Sequence, residues 1–165
     1  MQTIFGMFAD YDEAKAAVEE LLERRFRLEE MNAIVQTWVW KSNTEADLNL
    51  AAVEVTPHLG PKVLHGLDRL IAGKQPRRFA DAGEIYSAGE FATIVANTAE
   101  SSRQPDALRA ALIDFGVPER VASDYIDRLT RGGILIWLRC EDKRAAEAAS
   151  VLQSRKGERV GSYMP

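Results

Sequence analysis

Gly132-Gly133-Ile134-Leu135-Ile136-Trp137-Leu138 is the stretch that decides the fold. The two glycines end a helical pattern that begins at Pro118, and the five apolar residues after them leave no polar face. A short apolar run bounded by turn residues is typical of a strand that is buried on both sides. We therefore predict a central strand at residues 134–138, around which the rest of the chain is organised.

The N-terminal segment predicts a strand, a helix and a second strand. Residues 3–8 are short and apolar, as expected of a buried strand. Asp10, with Glu13 three residues later, is typical of a capping box that begins a helix, and apolar residues then recur at helical spacing. Residues 31–40 are rich in β-branched and aromatic side chains, which favour a strand.

The C-terminal segment repeats this order. After the strand at 134–138, Asp142 begins an alanine-rich helix that Gly157 ends, and residues 159–164 predict a last short strand. Two such βαβ units commonly combine as a split βαβ, or ferredoxin-like, sheet. In that sheet the first strand of each unit is central and the second strands form the edges, which suits the polar residues of the second strands. We predict an α+β fold of this type.

A long helical insertion is predicted between the two units, because residues 42–131 are too many for a loop. Apolar spacing predicts helices at 62–72, 88–99, 105–115 and 118–131, with a polar linker at 73–81. The chain is thus predicted to be a single domain of 165 residues, with the first unit at 1–41, the insertion at 42–131 and the second unit at 132–165.

The composition is that of an ordinary globular protein, with 46% hydrophobic and 28% charged residues. The net charge of −4, with both signs interspersed, argues against binding to nucleic acid. Cys140 is the only cysteine, so an internal disulfide is impossible and a reducing compartment is favoured. The N-terminus does not resemble a signal peptide, and no apolar run approaches the roughly 20 residues of a transmembrane segment. A cytoplasmic location is expected.

A family resemblance rests on two blocks of the sequence. The first comprises Val117-Pro118-Glu119, Ala122, Tyr125 and the ending Arg131-Gly132-Gly133-Ile134-Leu135. The second is GEIYSAGEFA, residues 83–92. These blocks resemble the GVP-E-A-Y…GG-L-V block and the G-P-L/V-Y-A-A-G-P-L-A stretch of a bacterial general-stress-protein family of small proteins. Members of that family also begin with an apolar strand and an acidic, alanine-rich helix.

The resemblance implies more about the fold than about the function, because the family has no established enzymatic chemistry. Its members usually carry a long apolar middle rich in glycine and alanine. Charged residues interrupt that region here, among them Lys62, Asp68 and Arg77. A membrane-associated or glycine-zipper role is therefore not expected for this chain.

No stretch of the sequence carries a motif for catalysis, a cofactor or a metal, since the P-loop, GxGxxG, GxSxG, HExxH, CxxC and EF-hand patterns are all absent. No catalytic residue, cofactor or metal ligand is predicted. His58 and His65 are the only histidines, and even in one continuous helix they would lie ~10 Å apart, too far to share a metal. Cys140 is expected to be inert, because the carboxylates of Glu141 and Asp142 would raise its pKa.

The candidates for an interface or a pocket are four aromatic residues: Trp38, Trp40, Tyr86 and Trp137. In the second predicted strand, Trp38 and Trp40 share one face, which helices cover or which stays exposed for self-association. Tyr86 lies between Gly83 and Gly89. Glycines at that spacing allow either two helices to pack tightly or a small ligand to approach the backbone.

Two functional hypotheses remain open from the sequence. The first is an uncharacterised, non-enzymatic stress-protein-like module that forms a homodimer or binds another protein through its helical insertion or an edge strand. The second is a small-molecule-binding or enzymatic domain with a pocket between the sheet and the insertion, near Tyr86 and Trp137 with His58 or His65 as further candidates. Peripheral membrane association through the middle helices is a third and weaker hypothesis.

Overall fold

Six strands form one antiparallel sheet in the computed structural model, which describes residues 1–43, 67–71, 76–89 and 105–163. The order across the sheet is β3-β4-β2-β5-β1-β6, and every neighbouring pair is antiparallel. The strands are β1 (Gln2–Phe8), β2 (Met31–Gln36), β3 (Arg77–Phe79), β4 (Gly83–Ala88), β5 (Ile134–Cys140) and β6 (Glu158–Tyr163).

Helices cover both faces of this sheet. They are α1 (Tyr11–Glu23), α2 (residues 37–43), α3 (Leu67–Ile71), α4 (Ala107–Asp114), α5 (Glu119–Thr130) and α6 (Ala145–Ser154), with 3-10 turns at Leu28–Glu30 and Asp142–Arg144. Asp10 caps α1 as its position predicts, because its carboxylate accepts a hydrogen bond of 2.9 Å from the backbone N–H of Asp12.

Strand β5 is buried on both faces, as its apolar run predicts. Ile134, Ile136 and Leu138 pack into a core with α1 and α6, whereas Leu135 and Trp137 pack into a second core with α4 and α5. Side chains alternate along a strand, so a continuous apolar run such as 134–138 can contribute to two cores at once. The sheet is therefore the middle layer between two layers of helix.

The predicted strand at 31–40 is wrong in its second half and in its position. Strand β2 ends at Gln36, and residues 37–43 form the helix α2. In that helix Val39 and Trp40 turn toward the core while Trp38 faces away from it, an arrangement that strand alternation does not allow. Strand β2 is not an edge either, because β4 pairs with its outer side.

The strand that covers β2 comes from the insertion, which was predicted to be mainly helical. Residues 73–81 were predicted to be a linker, but β3 lies within them and forms a hairpin with β4 through a turn at 80–82. Gly83 begins β4 with φ +76°, a conformation that favours glycine. The predicted helix at 88–99 overlaps the last residue of β4, and residues 90–99 lie outside the described ranges, as do His58 and His65.

The two helices before β5 are confirmed. Pro118 is the N-cap of α5, and α4 and α5 are each followed by a glycine with φ +99°, Gly116 and Gly132. After α5, the N–H of Gly133 bonds to the carbonyl of Arg128 at 2.9 Å and the N–H of Gly132 bonds to Leu129 at 3.0 Å. This is a Schellman ending. It delivers the chain directly into β5, which lies beside β1 inside the sheet.

Candidate functional site

Among the described helices and strands, Trp38 is the most exposed large apolar side chain, at 58%. Its indole N–H donates a hydrogen bond of 2.5 Å to the side-chain oxygen of Gln36, and the Gln36 amide nitrogen donates to the carbonyl of Ala82 at 2.6 Å. On its other side the ring lies against Gly132, the residue that follows the C-cap of α5. The indole is therefore exposed but held in one orientation.

Trp40 and Tyr86 form a second aromatic site on the face covered by α1 and α6. Their ring centroids are 5.2 Å apart at an interplanar angle of 57°. Tyr86 belongs to a strand, so the predicted alternative of two tightly packed helices at this position is wrong. Gly89 has φ +87°, and a Cβ atom there would lie 2.6 Å from the side-chain oxygen of Asn32. Gly83 and Gly89, at the two ends of β4, are therefore explained by the positive φ angles of the backbone there.

Trp137 lies on the opposite face of the sheet and is completely buried. Its ring stacks on Phe5 with a centroid separation of 5.1 Å, and it forms a T-shaped pair with Phe115 at a centroid separation of 5.9 Å. Phe5 in turn stacks on Tyr125 at 6.0 Å, so this aromatic cluster fills the core under α4 and α5. Trp137 and Tyr86 face different helix layers, and the structure does not bring these two predicted pocket residues together.

A buried polar cluster, which the sequence analysis missed, joins α1 to α3. The Asp68 side chain is 7% exposed, and its Oδ2 atom lies 2.9 Å from the ammonium of Lys15. The hydroxyl of Tyr11 donates to Oδ1 of Asp68. Burial, followed by the bond to Asp68, raises the pKa of Tyr11, so that this phenol remains a donor. Both Asp68 oxygens are partnered, and the cluster anchors α3 on α1.

The sequence does contain a signal for this cluster. Asp68 is a lone acid among Leu67, Leu70 and Ile71, all of which are buried. Lys15 follows Tyr11 by four residues and therefore lies next to it on the helix. A charged residue inside an apolar repeat requires a partner. Only the tertiary fold shows that the partner of Asp68 is the half-buried Lys15.

A cleft with a volume of about 320 Å³ lies at the end of β1, between the last turns of α5 and the start of β6. Its apolar lining comes from Met7, Phe8 and Ala9, and its charged lining comes from α5 and β6. The lining residues are Met7, Phe8, Ala9, Asp124, Asp127, Arg128, Arg131, Gly133 and Glu158. None of these was a predicted site residue, because the cleft forms only where three separate segments meet.

An ion-pair network braces one wall of this cleft. The Nε atom of Arg128 lies 2.9 Å from Asp124, and its Nη1 atom bonds to Glu158. Arg159 reaches the same Asp124 oxygen at 3.2 Å. Arg159 has φ +52°, and its carbonyl accepts a hydrogen bond of 2.8 Å from Tyr125. A non-glycine residue in this conformation is uncommon, and the surrounding bonds hold it there.

Cys140 is buried and is the last residue of β5, which extends two residues beyond its predicted end at Leu138. Burial is the main reason why its pKa is raised, and the carboxylate of Glu30 raises it further. The direction agrees with the expected inert thiol, although the predicted cause, the adjacent acids, is not the largest one. This cysteine has the properties of a small core residue rather than a nucleophile.

Neither a metal-binding cluster nor a membrane-spanning helix is found among the described residues. Within ranges 1–43, 67–71, 76–89 and 105–163, no three histidine, cysteine or acidic side chains come together in a way that could hold an ion. None of the helices in those ranges has the length and apolar character needed to cross a bilayer.

No family model matches the chain, and comparisons with curated proteins and with solved structures give no match.

Proposed function

We propose that this protein is a non-enzymatic binding module that associates with a second copy of itself through Trp38. The observation that carries the proposal is the exposed indole, held between Gln36 and Gly132. A large aromatic side chain that is already fixed loses little conformational entropy on binding, and tryptophan is favoured at the centres of interfaces.

The two edges of the sheet favour the Trp38 surface over strand addition. Edge strand β3 has only three residues and exposes Arg77 and Arg78. Edge strand β6 pairs with β1 through an irregular register near Arg159, whose φ of +52° bends the strand. Short, charged and bulged edges resist pairing with another chain. Association through an edge strand is therefore the less favoured route.

Light scattering coupled to size exclusion, at micromolar concentrations, tests the proposal. The wild-type chain is expected to be a dimer, and Trp38→Ser is expected to be a monomer with an unchanged circular dichroism spectrum. Ile113→Ser is the matched control, because Ile113 is the other exposed large apolar side chain in the described helices, at 36% on α4. A monomeric wild type, or a dimer that Trp38→Ser leaves intact, overturns the proposal.

We further propose that strands β6-β1-β5-β2 form a ferredoxin-like core to which the β3-β4 hairpin is added. Their order and antiparallel pairing support this assignment, since the first strand of each βαβ unit is interior.

A relationship to the bacterial general stress proteins remains part of the proposal. Its support is that residues 117–135 form one unit, which consists of α5, its glycine ending and the start of β5. The lone thiol of Cys140 supports a cytoplasmic location.

A further inference from the structure

The charged side chains in and next to the cleft beside α5 fall into two groups. Arg128 is engaged by Asp124 and Glu158, and Asp124 also receives Arg159. This group contains two cations and two anions, so its charges cancel. Each side chain of this group is held by at least one other, so the group forms a fixed side of the cleft.

Asp127 and Arg131 form the second group. Both line the cleft and both are exposed, and neither side chain has an ion pair or a hydrogen bond with any residue in the described ranges. They are four residues apart, a spacing at which an acid and a base on a helix commonly pair. Arg131, however, is the C-cap of α5, with φ −89° and ψ 6°, where the chain leaves the helix. The cleft therefore presents one anion and one cation separately.

The surroundings of these two groups favour a ligand that carries both charges. Beside them, Ala9 is an exposed apolar residue, and the buried Met7 and Phe8 lie at the base of the cleft. The C-terminal end of α5 carries partial negative charge and favours an ammonium near Asp127. The guanidinium of Arg131 has the fork geometry that binds a carboxylate. A ligand with a single charge would leave one of the two side chains without a partner.

We propose that this cleft binds a small zwitterion with an apolar body, of the kind represented by a free aliphatic amino acid. The volume of about 320 Å³ suits a small ligand, because it lies at the lower end of the roughly 300–1,000 Å³ of known ligand sites. In the bound state Arg131 holds the carboxylate, Asp127 holds the ammonium, and the apolar body lies against Ala9. This activity is separate from the self-association through Trp38 and does not depend on it.

The test is an NMR titration of the full-length, nitrogen-15-labelled chain with L-leucine. Isocaproate and isoamylamine are the matched probes, because each keeps the leucine side chain and only one of its charges. Leucine is expected to shift the amide signals of Ala9, Arg131 and Gly133, with a Kd in the millimolar range. Each single-charge probe should bind about two- to fivefold more weakly, the range expected for one exposed ion pair.

Two variants separate the proposed contacts from non-specific binding. Arg131→Gln and Asp127→Asn should each weaken leucine binding by about two- to fivefold. Arg120→Gln is the control, since Arg120 is exposed on the same helix but does not line the cleft. The proposal is overturned if leucine shifts none of the cleft amides, if the single-charge probes bind equally well, or if Arg120→Gln weakens binding as much as Arg131→Gln. A monomeric wild type contradicts only the self-association.

Discussion

The indole of Trp38 rests on Gly132. A Cβ atom built at position 132 would lie 3.0 Å from Cη2 of Trp38, and Gly132 itself has φ +99°. Gly132 thus has two structural roles. It turns the chain from α5 into β5, and it forms the surface on which the exposed indole packs. The proposed association surface and the central strand are therefore built on the same turn.

Gly132→Ala should destabilise the protein through backbone strain and through crowding of the Trp38 indole. A side chain at φ +99° is strained, and the added methyl group presses on the indole, so the free energy of unfolding should fall by about 1–3 kcal/mol. Urea denaturation measures the effect. In a Trp38→Ala background the contact is absent, and the same substitution should then cost less. Equal losses in both backgrounds would show that the indole does not press on position 132.

Lys156→Gly should stabilise the protein. Helix α6 ends in a Schellman motif in which Lys156, rather than a glycine, has φ +66°, and the N–H of Gly157 bonds to Leu152 at 2.8 Å. Glycine at this position removes the strain, so the free energy of unfolding should rise by about 1 kcal/mol. Lys156→Ala is the control, because it keeps a Cβ atom in the same conformation. A glycine variant no more stable than the alanine variant contradicts the assignment.

Tyr11→Phe should weaken the anchor between α1 and α3. The substitution leaves a buried Asp68 oxygen without its donor, and this should lower the free energy of unfolding by about 1–3 kcal/mol. A double-mutant cycle with Asp68→Ala, followed by urea denaturation, isolates the pair. Once Asp68 is removed, Tyr11→Phe should have little effect. If it destabilises both backgrounds equally, the hydroxyl contributes through some other contact.

The free energy of unfolding should fall in alkaline solution. Burial raises the pKa of both Tyr11 and Tyr125, so these phenols keep their protons in the folded state after the unfolded chain has lost them. Stability is therefore lost as the pH rises above about 10, the ordinary pKa of tyrosine. Urea midpoints measured across this range should decline less steeply for Tyr125→Phe. An unchanged slope would argue against the buried phenol as the cause.

The Cys140 thiol should react slowly in the native protein. It is buried and its pKa is raised, so little thiolate is present or accessible near neutral pH. Labelling with an aromatic disulfide reagent should be at least about a hundredfold slower than in urea, because the thiol reacts only when the structure opens locally. Native and denatured rates that are similar would place the thiol at the surface.

The sequence by itself predicted the elements whose patterns are local. The apolar run at 134–138 requires a strand with two buried faces, and β5 has them. The helices α1, α4, α5 and α6 were recognised because caps, glycines and apolar spacing act within a few turns of chain. The same local signals were ambiguous at Trp38-Val39-Trp40, where aromatic residues favour a strand but burial of Val39 and Trp40 selects a helix.

Only the tertiary structure decided where the strands lie and which side chains meet. The pairing of β4 with β2 joins distant parts of the chain, so no local pattern could show that β2 is interior. Asp68 meets Tyr11 across 57 residues of sequence. The cleft combines the ends of β1, α5 and β6, and the separation of Trp137 from Tyr86 depends on which face of the sheet each one occupies. Hydrophobic periodicity specifies that a residue is buried, but the partner it meets depends on long-range packing.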